Sequence, residues 1–291
     1  MNAWLIYSES ESRRNREYIN FHMEEGKKRD IHFKLLIVER IEFGIKEGKY
    51  FFTYEGKELI SPDFAICRMI YPLLTRHLEY MEVPVFNNSF VSEICNDKAR
   101  TYQFVGKIRV PMVDTVFCKK EFVHEKLKMV SCPSVIKTID GHGGTEVFLL
   151  EDHTHMDDIV TGCHGKDIVI QPLIGKTHQD LRVYVIGEEI IGAVLRTAKE
   201  GFKSNFSLGG EIRLYELTDK ERKTVSRIIN LFQEKAGYGF GLVGIDFIIG
   251  DHNELLFNEI EDVVGSRMLY QCTDINIVKL YLNFILEKLR D

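Results

Sequence analysis

Short apolar runs alternate with amphipathic stretches from the first residues of the chain. Residues 4–7 and 33–38 are apolar runs of strand length, and 13–28 between them spaces its apolar positions as a helix does, which predicts a β–α–β opening. A further strand is predicted over 64–68, a helix over 73–80 and a strand end over 83–87, together a small α/β layer. Residues 42–57 carry Gly44, Gly48 and Gly56 around the aromatic run Tyr50-Phe51-Phe52, which predicts an inserted hairpin. A helix over 92–107 should end before Val110-Pro111, where the restriction on the residue before proline marks a boundary. From 115 to 150 the pattern reads strand, helix, strand, glycine-rich turn, strand, with flanking strands at 135–138 and 147–150. Strands at 168–173, 181–186 and 189–196 follow, the last two meeting at Gly187-Glu188, and helices are predicted over 218–235 and 275–290. Three units are expected, 1–95, 96–169 and 170–291, the third opening around the strand at 168–173.

Two acidic residues interrupt apolar strands near the C-terminus, Asp246 within 244–249 and Glu259 within 255–261. Gly250-Asp251-His252-Asn253 between them is strong turn chemistry, so the pair predicts a hairpin carrying both carboxylates on one face. Glu261, two residues on, shares that face. Ionised carboxylates on a buried face need a cation, either a basic side chain or a metal. Three converging carboxylates suit a hard divalent ion such as Mg²⁺. A hairpin with one solvated face is the competing reading.

Composition narrows the field. At 291 residues, with 44% hydrophobic and 28% charged positions, the chain is long enough for two or three packed subdomains and needs no staples. The formal net charge of -6, with scattered Lys and Arg, argues against nucleic acid as a partner. Six cysteines without a Cys-x-x-Cys pair fit reduced packing residues. The N-terminus enters a strand-like segment with no basic flank, and no apolar stretch is long enough for a membrane, so a soluble, cytoplasmic protein is expected.

Candidate ligand-facing residues gather elsewhere. Gly141, Gly143 and Gly144, with His142 among them, sit in one short turn, where freedom in φ and close backbone approach can aim N–H groups at phosphate oxygens. A merely flexible hairpin is the alternative. Lys137, in the strand before that turn, could reach the same phosphates. Arg182 and Arg196 fall on opposing strands and could grip an anion bidentately, or be ordinary surface arginines. The polar stretch 203–210, which contains Lys203, Ser204 and Asn205 and ends in Gly209-Gly210, could close over a nucleotide.

The order of these features resembles the ATP-grasp superfamily, and within it the RimK-like family of the ribosomal-protein-S6 glutamate ligase type, over about residues 96–269. Asn96-Asp97-Lys98 is similar to the family's Asn-Asp-Lys, and Val135-Ile136-Lys137 with 140–144 to its second lysine and mobile glycine loop. Gln171-Pro172-Leu173 stands at the adenine hinge, Asp180-Leu181-Arg182 at an Asp-Ile-Arg segment, and the run from Arg196 to Asn205 follows one ending in Arg-Ser-Asn. Asp246, Glu259 and Glu261 stand at the three metal positions, the third being Asn in the family's Glu-Val-Asn. The segment 262–267 keeps the glycine but lacks the usual Ser-Pro, so the acceptor side differs.

The resemblance implies an α/β (α+β) ATP-grasp fold, with a Rossmann-like N-terminal domain and two α+β lobes clamping ATP. It implies a carboxylate–amine ligase that forms an amide through an acylphosphate. Lys98 and Lys137 would hold phosphates, with Gly141, His142, Gly143, Gly144, Asp180, Lys203 and Ser204 at the nucleotide and Gln171, Pro172 and Leu173 at adenine. Asp246, Glu259 and Glu261 would hold metal, two Mg²⁺ ions with Mn²⁺ as a substitute. Arg196 would stabilise the acylphosphate, Asn205 would contact phosphate or metal, and Arg182 would orient the acid. Partners would be an amino acid or other carboxylate and an amine acceptor, in a homodimer or tetramer. A non-catalytic ATP sensor or an ATP-dependent kinase are the competing readings; the full set of phosphate-facing lysines and acidic positions argues against a sensor.

Overall fold

The computed structural model describes residues 1–175, 179–198, 211–235 and 237–290. The chain opens as β1 (Asn2–Tyr7), α1 (Glu9–Arg14), α2 (Arg16–Lys27) and β2 (His32–Ile37). The expected single helix over 13–28 is two, because the Asn15 side chain donates back to the Glu11 carbonyl at 3.0 Å and ends α1. The inserted hairpin is present as β3 (Ile41–Lys46) and β4 (Lys49–Tyr54), followed by β5 (Lys57–Glu58). Its two-residue turn, Glu47-Gly48, has φ of 51° and 76°, the left-handed pair that matches strand twist. Then come β6 (Phe64–Cys67), α3 (Pro72–Tyr80) and β7 (Val85–Phe86). The main N-terminal sheet is parallel, in the order β2-β1-β6-β7.

The helix expected over 92–107 is also divided, into α4 (Ser89–Cys95) and α5 (Lys98–Gly106). Asn96 turns its side chain to the Ser92 carbonyl and to Asp262, while Asp97 caps α5 by accepting from the Arg100 amide at 2.9 Å. The break places Lys98 in the first turn of α5.

A second sheet follows, built from β8 (Val116–Cys118), β9 (Ser134–Thr138), β10 (Val147–Leu150) and β11 (Ile168–Pro172), with α6 (Val123–Leu127) and α7 (Met156–Gly162). It is antiparallel in the order β10-β9-β11-β8. β11, read from sequence as the opening of the third unit, is therefore an inner strand of this sheet. Ile136, Ile168 and Ile170 face α6 and α7, meeting Val123, Leu127 and Ile159. Strand alternation then turns Val135, Lys137 and Gln171 to the opposite face.

The last sheet is β12 (Gln179–Gly187), β13 (Glu189–Thr197), β14 (Glu211–Tyr215), β15 (Phe240–Ile249) and β16 (Leu255–Glu261), ordered β14-β13-β12-β15-β16. Helix α8 (Asp219–Gln233) begins with a capping box between Thr218 and Glu221 and buries Val225, Ile228, Ile229 and Phe232. Together with α4 and α5 it covers the sheet face that carries Val183, Val185, Val243 and Ile245. The other face, with Tyr184, Ile186 and Leu242, packs on β1, on β6 and on the final helices α9 (Arg267–Cys272) and α10 (Ile277–Lys288). No helix among the described residues is long and apolar enough to cross a membrane.

Candidate active site

The free face of the second sheet and the β15–β16 end of the third enclose a cleft of about 1140 Å³, counted to its open mouth. One end is apolar, lined by Val113, Val135, Val147, Leu173, Ile174 and Ile248; the other carries Lys98, Lys137, Asn258, Glu259 and Glu261. Gly141, Gly143, Gly144, Gln171, Pro172 and Asp180 also line it. His142, Arg182, Arg196 and Asp246 do not form its wall. Lys203, Ser204 and Asn205 lie outside the described residues.

The expected hairpin forms, and its register explains how the carboxylates meet. Asp246 pairs with Glu259 and Gly244 with Glu261, but Phe247 pairs with Phe257, so Asn258 is an extra residue, a bulge. One oxygen from each of Asp246, Glu259 and Glu261 lies within 4.8 Å of the others. Asp246 is fully buried. Its Oδ1 accepts from Arg182 Nε at 2.8 Å, and its Oδ2 from Arg182 Nη2 at 2.6 Å and Arg196 Nη2 at 2.8 Å.

Arg196 in turn grips Asp180, Nη2 to Oδ2 at 2.8 Å with a shorter Nε–Oδ1 contact, and Arg182 Nη2 donates to Glu261 Oε1 at 2.6 Å. The two arginines do face anions bidentately, as their sequence positions suggested, but the anions are the chain's own carboxylates. Cross-strand register makes this so: Arg182 stands opposite Asp246, and Arg196 opposite Asp180. Burial alone would raise the Asp246 carboxyl, yet Arg182 and Arg196 outweigh it and hold the group below the usual carboxylate range. Glu261 goes the other way. Burial lifts it, Arg182 opposes, and the neighbouring charges of Asp246 and Glu259 add to the rise.

Lys98 Nζ donates to the Gly141 carbonyl in a short contact, and its amide donates to Ile139 O at 2.8 Å, so the start of α5 is fastened to the glycine turn. Gly143 and Gly144 have φ of 63° and 74°, the left-handed region that glycine enters without cost from a Cβ. Lys166 braces this turn from outside, 2.9 Å from Glu146 and 3.2 Å from Asp140. Lys137 Nζ donates to Asn258 Oδ1 at 2.8 Å. Burial pushes the Lys137 ammonium down to about 8, against the pull of Glu259 and with Lys98 adding to the drop. His142 is likewise lowered, by burial and by Lys98. At the apolar end the Leu173 amide donates to Pro133 O at 3.2 Å, and Gln171 Nε2 to Thr115 Oγ1 at 2.8 Å.

Sequence reasoning missed Asn258, Gly244, Lys166 and Asp262. A Cβ on Gly244 would stand 2.7 Å from Val264 Cγ2 and 3.2 Å from Arg182 Cδ, so the glycine makes room for the Arg182 stem to lie across β15. Its place two residues before Asp246 was the available signal. Asp262 accepts from Asn96 Nδ2 at 2.8 Å and ties the end of β16 to the break before α5; burial pushes its carboxyl up to about 6.

The donor set fits a divalent cation. Glu259 and Glu261 present oxygens to the cleft, Asp246 stands behind them, and hard oxygen ligands are what Mg²⁺ takes. The two lysines and the glycine turn fit a polyphosphate, and the apolar end fits a flat ring.

The model of the RimK-like ATP-grasp domain matches residues 95–285. The probable alpha-L-glutamate ligase of Aliivibrio salmonicida (strain LFI1238) is 29% identical over 275 residues, covering 90% of this chain and 89% of that one. Human N-acetylaspartylglutamate synthase A is 27% identical over 270 residues, 85% of this chain and 66% of that protein's length. Among solved structures, that of the ATP-grasp ligase PsnB complexed with minimal precursor superposes with a TM-score of 0.69 at 16% identity over 98% of both chains.

Proposed function

The chain belongs to the RimK-like ATP-grasp family, whose members are ATP-dependent ligases that form C–N bonds, and from that premise we propose that its cleft joins a carboxylate to the amine of an amino acid. The reading is supported by one observation above the rest: Glu259 and Glu261 line the same cleft as Lys98 and Lys137, and Asp246 behind them completes a group of three carboxylates with oxygens within 4.8 Å of one another. Phosphoryl transfer to a carboxylate is mostly a matter of position and charge, and the resulting acylphosphate is then open to attack by an amine.

In this reading Lys98 and Lys137 bind the phosphates, and the N–H groups around Gly143 and Gly144 cover them. Glu259 and Glu261, backed by Asp246, hold Mg²⁺, two ions, with Mn²⁺ able to replace them. The metal, when bound, neutralises phosphate charge. Gln171, Pro172 and Leu173 border the adenine end, and Lys203, Ser204 and Asn205 keep the nucleotide-facing roles expected from sequence. Arg182 and Arg196 act as positioning residues, since their forks are already filled by Asp246, Asp180 and Glu261. Closure of the glycine turn would exclude water, which would otherwise hydrolyse the acylphosphate. The net charge of -6 favours a metabolite, peptide or protein acceptor over nucleic acid, and six cysteines without a Cys-x-x-Cys pair suit the cytoplasm as the place of action.

The test is Glu259→Gln. With Mg²⁺, ATP and pools of carboxylates and amines, we expect wild-type protein to release ADP and yield a product of amide mass. The variant should lose amine-dependent ADP release while keeping its unfolding midpoint. Unchanged turnover would remove Glu259 from the metal site, and ADP release without an amide product would remove the ligase chemistry.

A further inference from the structure

The inserted hairpin takes no part in the cleft, since no residue of β3, β4 or β5 lines it. Its sheet, ordered β3-β4-β5, has two unlike edges. β5 spans two residues, while β3 is six residues long, carries no proline and pairs without a bulge from Ile41 opposite Tyr54 to Lys46 opposite Lys49. The two-residue turn makes Lys46 and Lys49 a hydrogen-bonded pair, and alternation gives the same kind of position to Gly44 and Glu42. The N–H and C=O of Phe43 and Ile45 therefore point away from β4. Among the described residues β3 pairs with no other strand.

Exposed edges of this kind are commonly kept apart by charge. β3 carries two charges, Glu42 and Lys46, both exposed and neither in an ion pair among the described residues; Glu42 Oε2 accepts from Thr53 Oγ1 at 3.3 Å. They stand on one face, two residues to either side of Gly44. Laid antiparallel on a copy of itself with Gly44 at a two-fold axis, β3 sets each Glu42 opposite a Lys46, so the charges attract instead of repel. Phe43 then meets Ile45 as a hydrogen-bonded pair through their outward backbone groups, and the charged pairs fall at the closer, non-hydrogen-bonded positions. Gly44 meets Gly44 at the axis, where no side chains can collide; a Cβ there would stand 3.2 Å from Phe51 Cε1 of its own hairpin. An axis at Phe43 or at Ile45 instead leaves the charges opposite glycine and loses both ion pairs.

The surface next to this edge is apolar. Ile45 is 67% exposed, and Tyr50 across the hairpin and Tyr80 on α3, with ring centres 5.5 Å apart, are exposed as well. Phe43, on the same face as Ile45, lies against Tyr71 and His77. In the joined sheet each Ile45 enters beside the Phe43 of the second copy. We propose that β3 binds β3 of a second copy of this chain, joining the two hairpins into one continuous antiparallel sheet centred on Gly44. The charge pattern selects the occupant, because the strand is its own complement. Such an interface is isologous and closes at two chains. It uses no cleft residue, so it goes beyond the ligase reading and does not rest on it.

The experiment is analytical sedimentation of the full chain over a concentration series, with Glu42→Lys, Lys46→Glu and the double variant carrying both changes. The wild type should move from one chain mass towards two as concentration rises. Glu42→Lys sets lysine against Lys46 of its copy, and Lys46→Glu sets glutamate against Glu42, so each should weaken self-association about tenfold. An equimolar mixture of the two single variants should associate as tightly as the wild type, because every facing pair is again of opposite sign, and the double variant should do the same. Recovery on mixing also shows that neither single variant is misfolded. A wild type that stays at one chain mass throughout would overturn the proposal. So would single variants that associate like the wild type, or a mixture no tighter than its components.

Discussion

Two sets of charges lie within one sheet's breadth of each other, and they are finished to different degrees. Arg182, Arg196 and Asp246 behind the cleft and Asp180 at its wall are at most 8% exposed, and each arginine fork meets a carboxylate. In the cleft, Lys98 bonds a backbone carbonyl, Lys137 an amide oxygen, and Glu259 and Glu261 crowd together with Asp246. The first set is complete without a ligand and the second is not. Buried pairs of this kind hold geometry because breaking them strands a charge, while half-neutralised groups at a cleft wall wait for a polyanion and a cation.

The largest effect should come from the complete set. Arg182→Met leaves Asp246 buried with Arg196 alone and frees Glu261, and it should cost about 3–5 kcal/mol of stability in urea unfolding. Lys137→Met, one layer away, should change stability by less than about 1 kcal/mol, because that ammonium is already disfavoured by burial. Equal losses in the two variants would erase the distinction between the sets.

The sequence disclosed the incomplete set more readily than the complete one. Asp246 and Glu259 stand out because each interrupts an apolar strand beside an obvious turn, and Lys137 because strand alternation must send it to one face. The partners of the arginines were hidden by distance along the chain: Asp246 is 64 residues from Arg182 and 50 from Arg196. Strand order decides such pairs, and local pattern does not carry it. The bulge at Asn258 was equally hidden, since one inserted residue leaves the alternation looking intact. Asn96-Asp97 did carry its signal, a helix-breaking cap pair, within what periodicity alone reads as one helix.

A gentler disturbance of the complete set is Gly244→Ala. The new methyl would stand 2.7 Å from Val264 Cγ2 and 3.2 Å from Arg182 Cδ, so Val264 must move and the Arg182 stem must give by a few tenths of an ångström against its carboxylates. We expect a loss of about 1–3 kcal/mol, typical of overpacking, measured as a lowered urea midpoint with unchanged slope. If the arginines only pad the sheet, turnover per folded molecule should be unaltered; if they position Asp246 and Glu261, the Mg²⁺ concentration needed for half-maximal rate should rise.

The smallest effect separates the sets by pH. Arginines do not titrate in any accessible range, so the complete set should be silent in alkali. Lys137 in the free protein loses its proton around 8. Phosphate binds the charged form, which raises the lysine's proton affinity in the complex, so nucleotide affinity is full below pH 8 and falls as pH rises through it. The decline should reach about fivefold between pH 8 and 9, measured by equilibrium binding of ATP with Mg²⁺ held in excess. Lys137→Arg, charged throughout, should flatten the profile over that window. A decline that persists in Lys137→Arg would assign the titration to another cleft group and take Lys137 away from the phosphates.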